Sequence, residues 1–136
     1  MTSVNPRYAN GYQRRKTVRW LKHQCRPCWV CRLPIDYELP RQSRYAFQCD
    51  ELIPVSRGGS PYEHDNVEAT HACCNNWRKT KSVEEVNIIR SLVRKRFASW
   101  QTPTQFINYA KALKRAPLRA GIQTKCKKRC ENKLKW

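Results

Sequence analysis

Acidic residues and long apolar stretches are both scarce in this sequence. Lys and Arg number 28 in 136 residues, against 10 Asp and Glu, which leaves a formal net charge of +18. An excess of this size, spread along the whole chain, predicts a polyanionic partner, and nucleic acid is the commonest polyanion. No stretch of the sequence approaches the roughly 18 consecutive apolar residues that a membrane-spanning helix needs.

The N-terminal sequence also lacks the apolar run that is typical of a secretion signal. It reads MTSVNPRYANGYQRRK, which is polar and basic. We therefore expect a soluble, cytoplasmic protein that does not associate with a membrane. With 40% apolar residues the chain can form one modest core, but it is too short for two full domains.

We expect one domain with extensions, and its fold class to be α+β. Two short segments, AFQCDELIPV and NVEAT, are typical of β-strands, and the segment HACCNNWRKTK predicts a helix after the second strand. The chain then divides into a basic helical segment at 1–24, a core at 25–81, two amphipathic helices at 82–116 and a basic tail at 117–136.

Helix signals are clearest after residue 82. Ser82 and Glu85 fit a capping box, and apolar residues recur at helical spacing from there, so we predict a helix over Val83–Trp100. Thr102 with Pro103 at the first helical position indicates the start of the second helix.

The eight cysteines indicate metal binding rather than disulfide bonds, because the chain shows no secretion signal. Two pairs with a two-residue gap, Cys28-x-x-Cys31 and His71-x-x-Cys74, together supply the four soft or borderline ligands that tetrahedral zinc prefers. We therefore predict a structural zinc site at Cys28, Cys31, His71 and Cys74.

Other assignments of the cysteines are open at this point. Cys25 could replace Cys28 and Cys73 could replace Cys74, or the thiols could be small buried apolar groups. Two further cysteines in the basic tail, Cys126 and Cys130, could form a second site with Cys25 or His23, or could simply be solvated.

An acidic dipeptide, Asp50-Glu51, lies between the two ligand pairs in a predicted buried strand. An unpaired buried carboxylate is costly, so adjacent buried acids usually hold a cation, and we predict a divalent metal ion here. Adjacent residues of a strand point to opposite faces, so both acids can bind one ion only where a bulge breaks the strand. Separate roles for the two acids are therefore favoured.

The order of motifs from Cys28 to Lys81 resembles the HNH endonuclease family, particularly its zinc-containing phage-type members. CxxC is followed by the acidic pair with Pro54, a Gly-Gly turn, Asp-Asn-Val, HxxC and Asn75. The resemblance implies a ββα-metal core stabilised by zinc, in which two strands and a helix hold one magnesium or manganese ion. It also implies hydrolysis of DNA phosphodiester bonds, in the host cytoplasm if the protein is phage-encoded. By analogy alone, phage packaging proteins would be further partners.

The resemblance assigns a role to four residues. By position, Asp50 and Asn75 would bind the catalytic metal, Asn66 would hold the loop and the base in place, and Glu51 would be the general base. The family usually has His at the position of Glu51 and at that of Asn75, so this chain departs from the pattern twice. A carboxylate can nevertheless take a proton from water at neutral pH.

Three interpretations of Glu51 remain open. It could be the base, or a second metal ligand beside Asp50 with His64 or a metal-bound hydroxide as base, or the mark of a relative that binds DNA without cutting it. Arg57 and Arg78 could contact phosphates or be solvated surface charges. Two functions are therefore predicted: a metal-dependent endonuclease, or a zinc-stabilised nucleic-acid-binding protein without cleavage activity.

Overall fold

The structure is a computed structural model and describes residues 10–113 of the chain. Its four described helices and two-stranded sheet confirm the predicted α+β class. The predicted tail at 117–136, with Cys126 and Cys130, lies outside the described residues. In chain order the elements are α1 (Gly11–His23), β1 (Phe47–Glu51), β2 (Val67–His71), α2 (Ala72–Arg78), α3 (Val83–Phe97) and α4, which is helical from 103 to the last described residue at 113.

Strands β1 and β2 lie at the two positions predicted for them. They pair antiparallel, with Phe47 opposite His71 and Glu51 opposite Val67. Helix α2 begins at the residue that follows β2, so the chain passes directly from the second strand into the helix. This connection brings the start of α2 close to β1, where the acidic pair lies.

Helix α3 begins as predicted but ends earlier. The Ser82 hydroxyl accepts a hydrogen bond from the Glu85 amide at 3.1 Å, and the Glu85 carboxylate accepts one from the Ser82 amide at 3.1 Å, which confirms the capping box. The helix ends at Phe97, and Ala98 adopts a positive φ of 70°. Trp100 is therefore not helical. It is buried in the apolar core beside Phe106, and its indole N–H is satisfied by the Cys31 carbonyl at 2.8 Å.

One apolar core joins the described residues of the N-terminal segment, the central segment at 25–81 and the helices after residue 82. It contains Leu21 from α1, Val30 from the segment between Cys28 and Cys31, Val67 from β2, Val86 from α3 and Phe106 from α4. The helices on either side of residues 25–81 therefore complete the core of that central segment.

The described helices are short. The longest that ends within residues 10–113 is α3, with 15 residues. No helix in this part of the chain has both the length and the apolar content needed to cross a membrane.

Candidate metal centres

The four predicted zinc ligands lie together in the fold. Their ligand atoms are all within 4.8 Å of one another and all four side chains are buried. Cys25 is exposed and Cys73 is half-buried, and neither belongs to this group. The group, which could hold a structural zinc ion, consists of Cys28, Cys31, His71 and Cys74, as the two-residue gaps predict.

Secondary structure and one arginine position these ligands. His71 is the last residue of β2, and Cys74 lies in the first turn of α2. From α3, the buried Arg90 donates to the carbonyl groups of Trp29 at 2.7 Å and Val30 at 2.8 Å. Arg90 therefore holds the segment between Cys28 and Cys31 against α3. Sequence analysis did not identify this contact.

The hydrogen bonds of His71 identify which ring nitrogen faces the cysteines. Its Nε2 lies 3.0 Å from the Pro34 carbonyl oxygen. Because a carbonyl can only accept, Nε2 carries the proton and donates. The other nitrogen, Nδ1, lies 3.4 Å from Cys31 Sγ and 3.9 Å from Cys74 Sγ. A carbonyl partner of this kind commonly orients a metal-binding histidine, so Nδ1 is the ligand atom.

Hydrogen bonds among the ligands give the three cysteine thiols different pKa values. Burial alone would raise the pKa of Cys28, but hydrogen bonds from Cys31, Cys74 and His71 outweigh burial and lower it. The hydrogen bond to Cys28 raises the pKa of Cys31 to about 12, and hydrogen bonds to Cys28 and Cys31 also raise the pKa of Cys74. The cluster thus favours one thiolate, and zinc would displace the protons of the other two thiols.

A second candidate centre lies at the end of β1, in an open cavity of about 420 Å³ that we call the acidic cavity. Asp50 and Glu51 line it from β1, and Asn75 lines it from α2. The two residues predicted to bind the catalytic metal, Asp50 and Asn75, are therefore close in space although they are far apart in the sequence. The Asn75 Nδ2 donates to the Gln48 side chain at 2.9 Å.

Asp50 is a buried carboxylate with two donors on one oxygen. Its Oδ2 accepts from the Trp29 indole at 2.8 Å and from Arg78 Nη1 at 2.8 Å. Burial raises the pKa of Asp50, while the bonds from Trp29 and Arg78 oppose that rise. No donor among the described residues reaches Oδ1, so this second oxygen can take a ligand from the cavity.

Arg78 is not a solvated surface charge, which was one of the two alternatives for it. Its side chain is 4% exposed, and besides Asp50 it donates to the carbonyl groups of Glu51 at 2.9 Å, Leu52 at 2.6 Å and Lys81 at 2.9 Å. Four of its five N–H groups therefore bind within the protein, and the side chain also lines the acidic cavity, so its phosphate contact stays a prediction. Arg57 is exposed, and its phosphate contact stays a prediction.

Glu51 also has an arginine partner. The carboxylate is buried, and Arg14 Nη1 from α1 lies 3.1 Å from its Oε2. The same nitrogen of Arg14 donates to the Pro61 carbonyl at 2.7 Å, which fixes its position. Each acid is therefore buried beside a cation of the chain itself, so burial alone does not require a divalent ion, and that ion stays a prediction.

His64, the alternative base, does not line the acidic cavity. Its ring stacks on Trp20 of α1 with the centroids 3.7 Å apart and the planes at 8°. Since a base must reach the attacking water, this position does not favour His64 as the base.

Asn66 closes the loop between the two strands. Its Nδ2 donates to the carbonyl groups of Ile53 at 2.9 Å and Ser60 at 2.8 Å, and its Oδ1 accepts from the Ile53 amide at 2.9 Å. Gly59 lies against this clamp, where a Cβ atom would collide with the Ile53 carbonyl. The loop that follows the acidic pair is thus held closed by one side chain.

Comparison with known proteins identifies no relative. No protein-family model, curated protein or solved structure matches the chain. The resemblance to HNH endonucleases therefore stays a prediction from the sequence motifs.

Proposed function

We propose that the chain is a metal-dependent endonuclease of the HNH type that hydrolyses phosphodiester bonds of DNA. The supporting observation is that Asp50, Glu51 and Asn75 line one open cavity. Asn66 clamps the loop that follows the acidic pair. A structural zinc site needs none of these four residues, so their arrangement favours a second, catalytic centre. The cytoplasmic location and the link to phage packaging proteins stay predictions.

The donor atoms in the acidic cavity fit a hard divalent cation. Asp50 offers a carboxylate oxygen and Asn75 an amide oxygen, and neither of these Oδ1 atoms accepts a hydrogen bond within the described part of the chain. Magnesium and manganese prefer such oxygen ligands and keep several water molecules. When held by Asp50 and Asn75, the ion would stabilise the negative charge that develops on the scissile phosphate.

Glu51 would act on the attacking water. As the water oxygen bonds to phosphorus, the Glu51 carboxylate takes a proton from it and the bond from phosphorus to the 3′ oxygen breaks. The 3′ oxygen takes a proton from solvent, which leaves a 5′-phosphate and a 3′-hydroxyl. Arg14 holds Glu51, and Trp29 and Arg78 hold Asp50, so these three residues position the reacting groups.

The second candidate is a zinc-stabilised protein that binds nucleic acid without cutting it. The observation in its favour is that each buried acid is already paired with an arginine, Asp50 with Arg78 and Glu51 with Arg14. These ion pairs alone can account for the burial of both carboxylates.

A plasmid assay separates the two candidates. Purified protein is incubated with supercoiled plasmid, with and without magnesium or manganese. For the endonuclease we expect nicking that needs the added ion, is lost in Asp50→Asn, and persists in Asp36→Asn, which removes an exposed carboxylate instead. Circular dichroism verifies that both variants are folded. Tight binding with intact plasmid under every condition would contradict the endonuclease and favour the binding protein.

A further inference from the structure

A large cavity next to the acidic cavity is lined by cationic side chains. Its volume is about 760 Å³, and it shares Gln48, Asn75 and Lys79 with the acidic cavity. Arg41 and Arg44, from the loop before β1, add two further cations to its lining. The two cavities therefore adjoin between β1 and α2.

A third cavity continues the same surface along helix α1. It has a volume of about 720 Å³ and shares Arg14 with the acidic cavity and Arg41 with the cavity of about 760 Å³. Its other cations are Arg15, Arg19 and Lys22. Their spacing of four and three residues places them on one face of the helix.

Four arginines on this surface are available to a ligand. Arg15, Arg19, Arg41 and Arg44 are exposed, and none of them forms an ion pair with another described residue. The only acids that line the three cavities are the two buried carboxylates of the acidic cavity. Guanidinium groups bind phosphate oxygens with two parallel hydrogen bonds, so a row of free arginines suits a phosphate backbone.

We propose that this surface, the basic track, binds the phosphate backbone of duplex DNA and leads it past the acidic cavity. The basic track comprises Arg15, Arg19, Lys22, Arg41, Arg44 and Lys79. This proposal rests on the proposed function, in which the acidic cavity is the site of cleavage. No residue that lines the three cavities is aromatic. Proteins that bind single strands stack bases on aromatic rings, so a track of charge alone favours a duplex.

A neighbouring face of α1 provides a matched control. Lys16 lines a separate cavity with Thr17, Trp20 and the acidic residues Glu63 and Asp65. Lys16 is exposed and lies on the same helix as Arg15 and Arg19, but it lies off the basic track.

Binding is measured by fluorescence anisotropy on a labelled DNA duplex of about 25 base pairs without added divalent metal. The variants are Arg15→Gln with Arg19→Gln, and Arg41→Gln with Arg44→Gln. The control is Lys16→Gln with Lys95→Gln, which removes the same charge away from the track. Each phosphate contact contributes about 0.9 to the salt slope of the binding constant. We therefore expect each track variant to lose about 2 from that slope and to bind about tenfold more weakly, while the control changes less than threefold.

Equal losses of affinity in the two track variants and the control would overturn the basic track, because net charge alone would then explain binding. Equal or tighter binding of a single strand of DNA or RNA would overturn the assignment to duplex DNA. Because cutting is not part of this measurement, its result is independent of the plasmid assay. If the track variants lose binding but the wild type leaves the plasmid uncut, the endonuclease is contradicted and the basic track is still supported.

Discussion

At the scale of single residues, the two adjacent acids differ in their partners. Trp29 and Arg78 hold Asp50, whereas Arg14 holds Glu51. Neighbouring residues of a strand point to opposite faces, which accounts for the different partners, and the separate roles of the two acids stay a prediction. The pairing also shows why Asp50 can be buried, since a buried charge is tolerated when a partner and hydrogen bonds compensate for its lost hydration.

Replacing Glu51 tests its role as the base. Because an amide cannot accept the proton, we expect Glu51→Gln to lower plasmid nicking at least about 100-fold, whereas Glu51→His keeps measurable nicking. Glu84→Gln, an exposed acid in the first turn of α3, should cut at the wild-type rate. Initial nicking rates provide the measurement. A Glu51→Gln rate equal to that of the wild type would exclude Glu51 as the base.

Replacing Arg78 tests the buried ion pair. Arg78→Met leaves the Asp50 carboxylate buried without its charged partner, so we expect the free energy of unfolding to fall by about 3–5 kcal/mol. Arg57→Met removes an exposed arginine and should change it by less than about 0.5 kcal/mol. Urea unfolding measures both. Similar values for the two variants would mean that the Arg78 pair adds little to stability.

At the scale of elements, the zinc ligands connect pieces that are too short to be stable alone. The strands have five residues each and α2 has seven. Such elements bury little apolar surface, so a structural metal that joins them can supply folding free energy directly. The segment of Cys28 and Cys31, the end of β2 and the start of α2 each contribute ligands to this site.

Removing one ligand tests this dependence. We expect the wild type to hold one zinc ion at this site and Cys28→Ser to lose it, with loss of most helical signal, because bound zinc stabilises only the folded state. Cys25→Ser and Cys73→Ser, which lie outside the cluster, should retain the ion. Elemental analysis and circular dichroism measure the two effects. Zinc retained in Cys28→Ser together with an unchanged fold would contradict the assignment.

At the scale of the whole molecule, the flanking helices and the central segment form one core. The Phe106 ring from α4 lies 5.6 Å from the Trp77 ring of α2 and 4.9 Å from the Trp100 ring. Phe106 is fully buried. The fourth helix therefore packs directly on the helix that carries Asn75.

Truncating Phe106 tests this single core. We expect Phe106→Ala to lower the free energy of unfolding by about 3–5 kcal/mol, since it leaves a cavity between the two tryptophans. Ile88→Ala removes a side chain that is 60% exposed on α3 and should change stability by less than about 0.5 kcal/mol. Tryptophan fluorescence during urea unfolding follows both. An equal effect of the two substitutions would show that α4 contributes little to the core.

Features with a local signature could be predicted from the sequence. The ligand pairs at 28/31 and 71/74, the capping box at Ser82 and the strands around the acidic pair each depend on spacings of a few residues. Such spacings are set by the geometry of a turn, a helix or a strand, so they can be recognised without knowing the fold. The end of α3 was misjudged because the apolar spacing continued to Trp100 after the helix had stopped.

The sequence by itself determined the α+β class, the two ligand pairs with two-residue gaps and the excess of positive charge, whereas the tertiary structure excluded Cys25 and Cys73 from the zinc quartet. Tertiary structure alone decided that Arg14 and Arg78 pair with the two acids, and that Asp50 and Asn75 share a cavity. It also decided that cations from α1 and from the loop before β1 form one continuous surface. These contacts join residues far apart in the chain, and no local spacing encodes them, because only the packing of helices on the sheet brings them together.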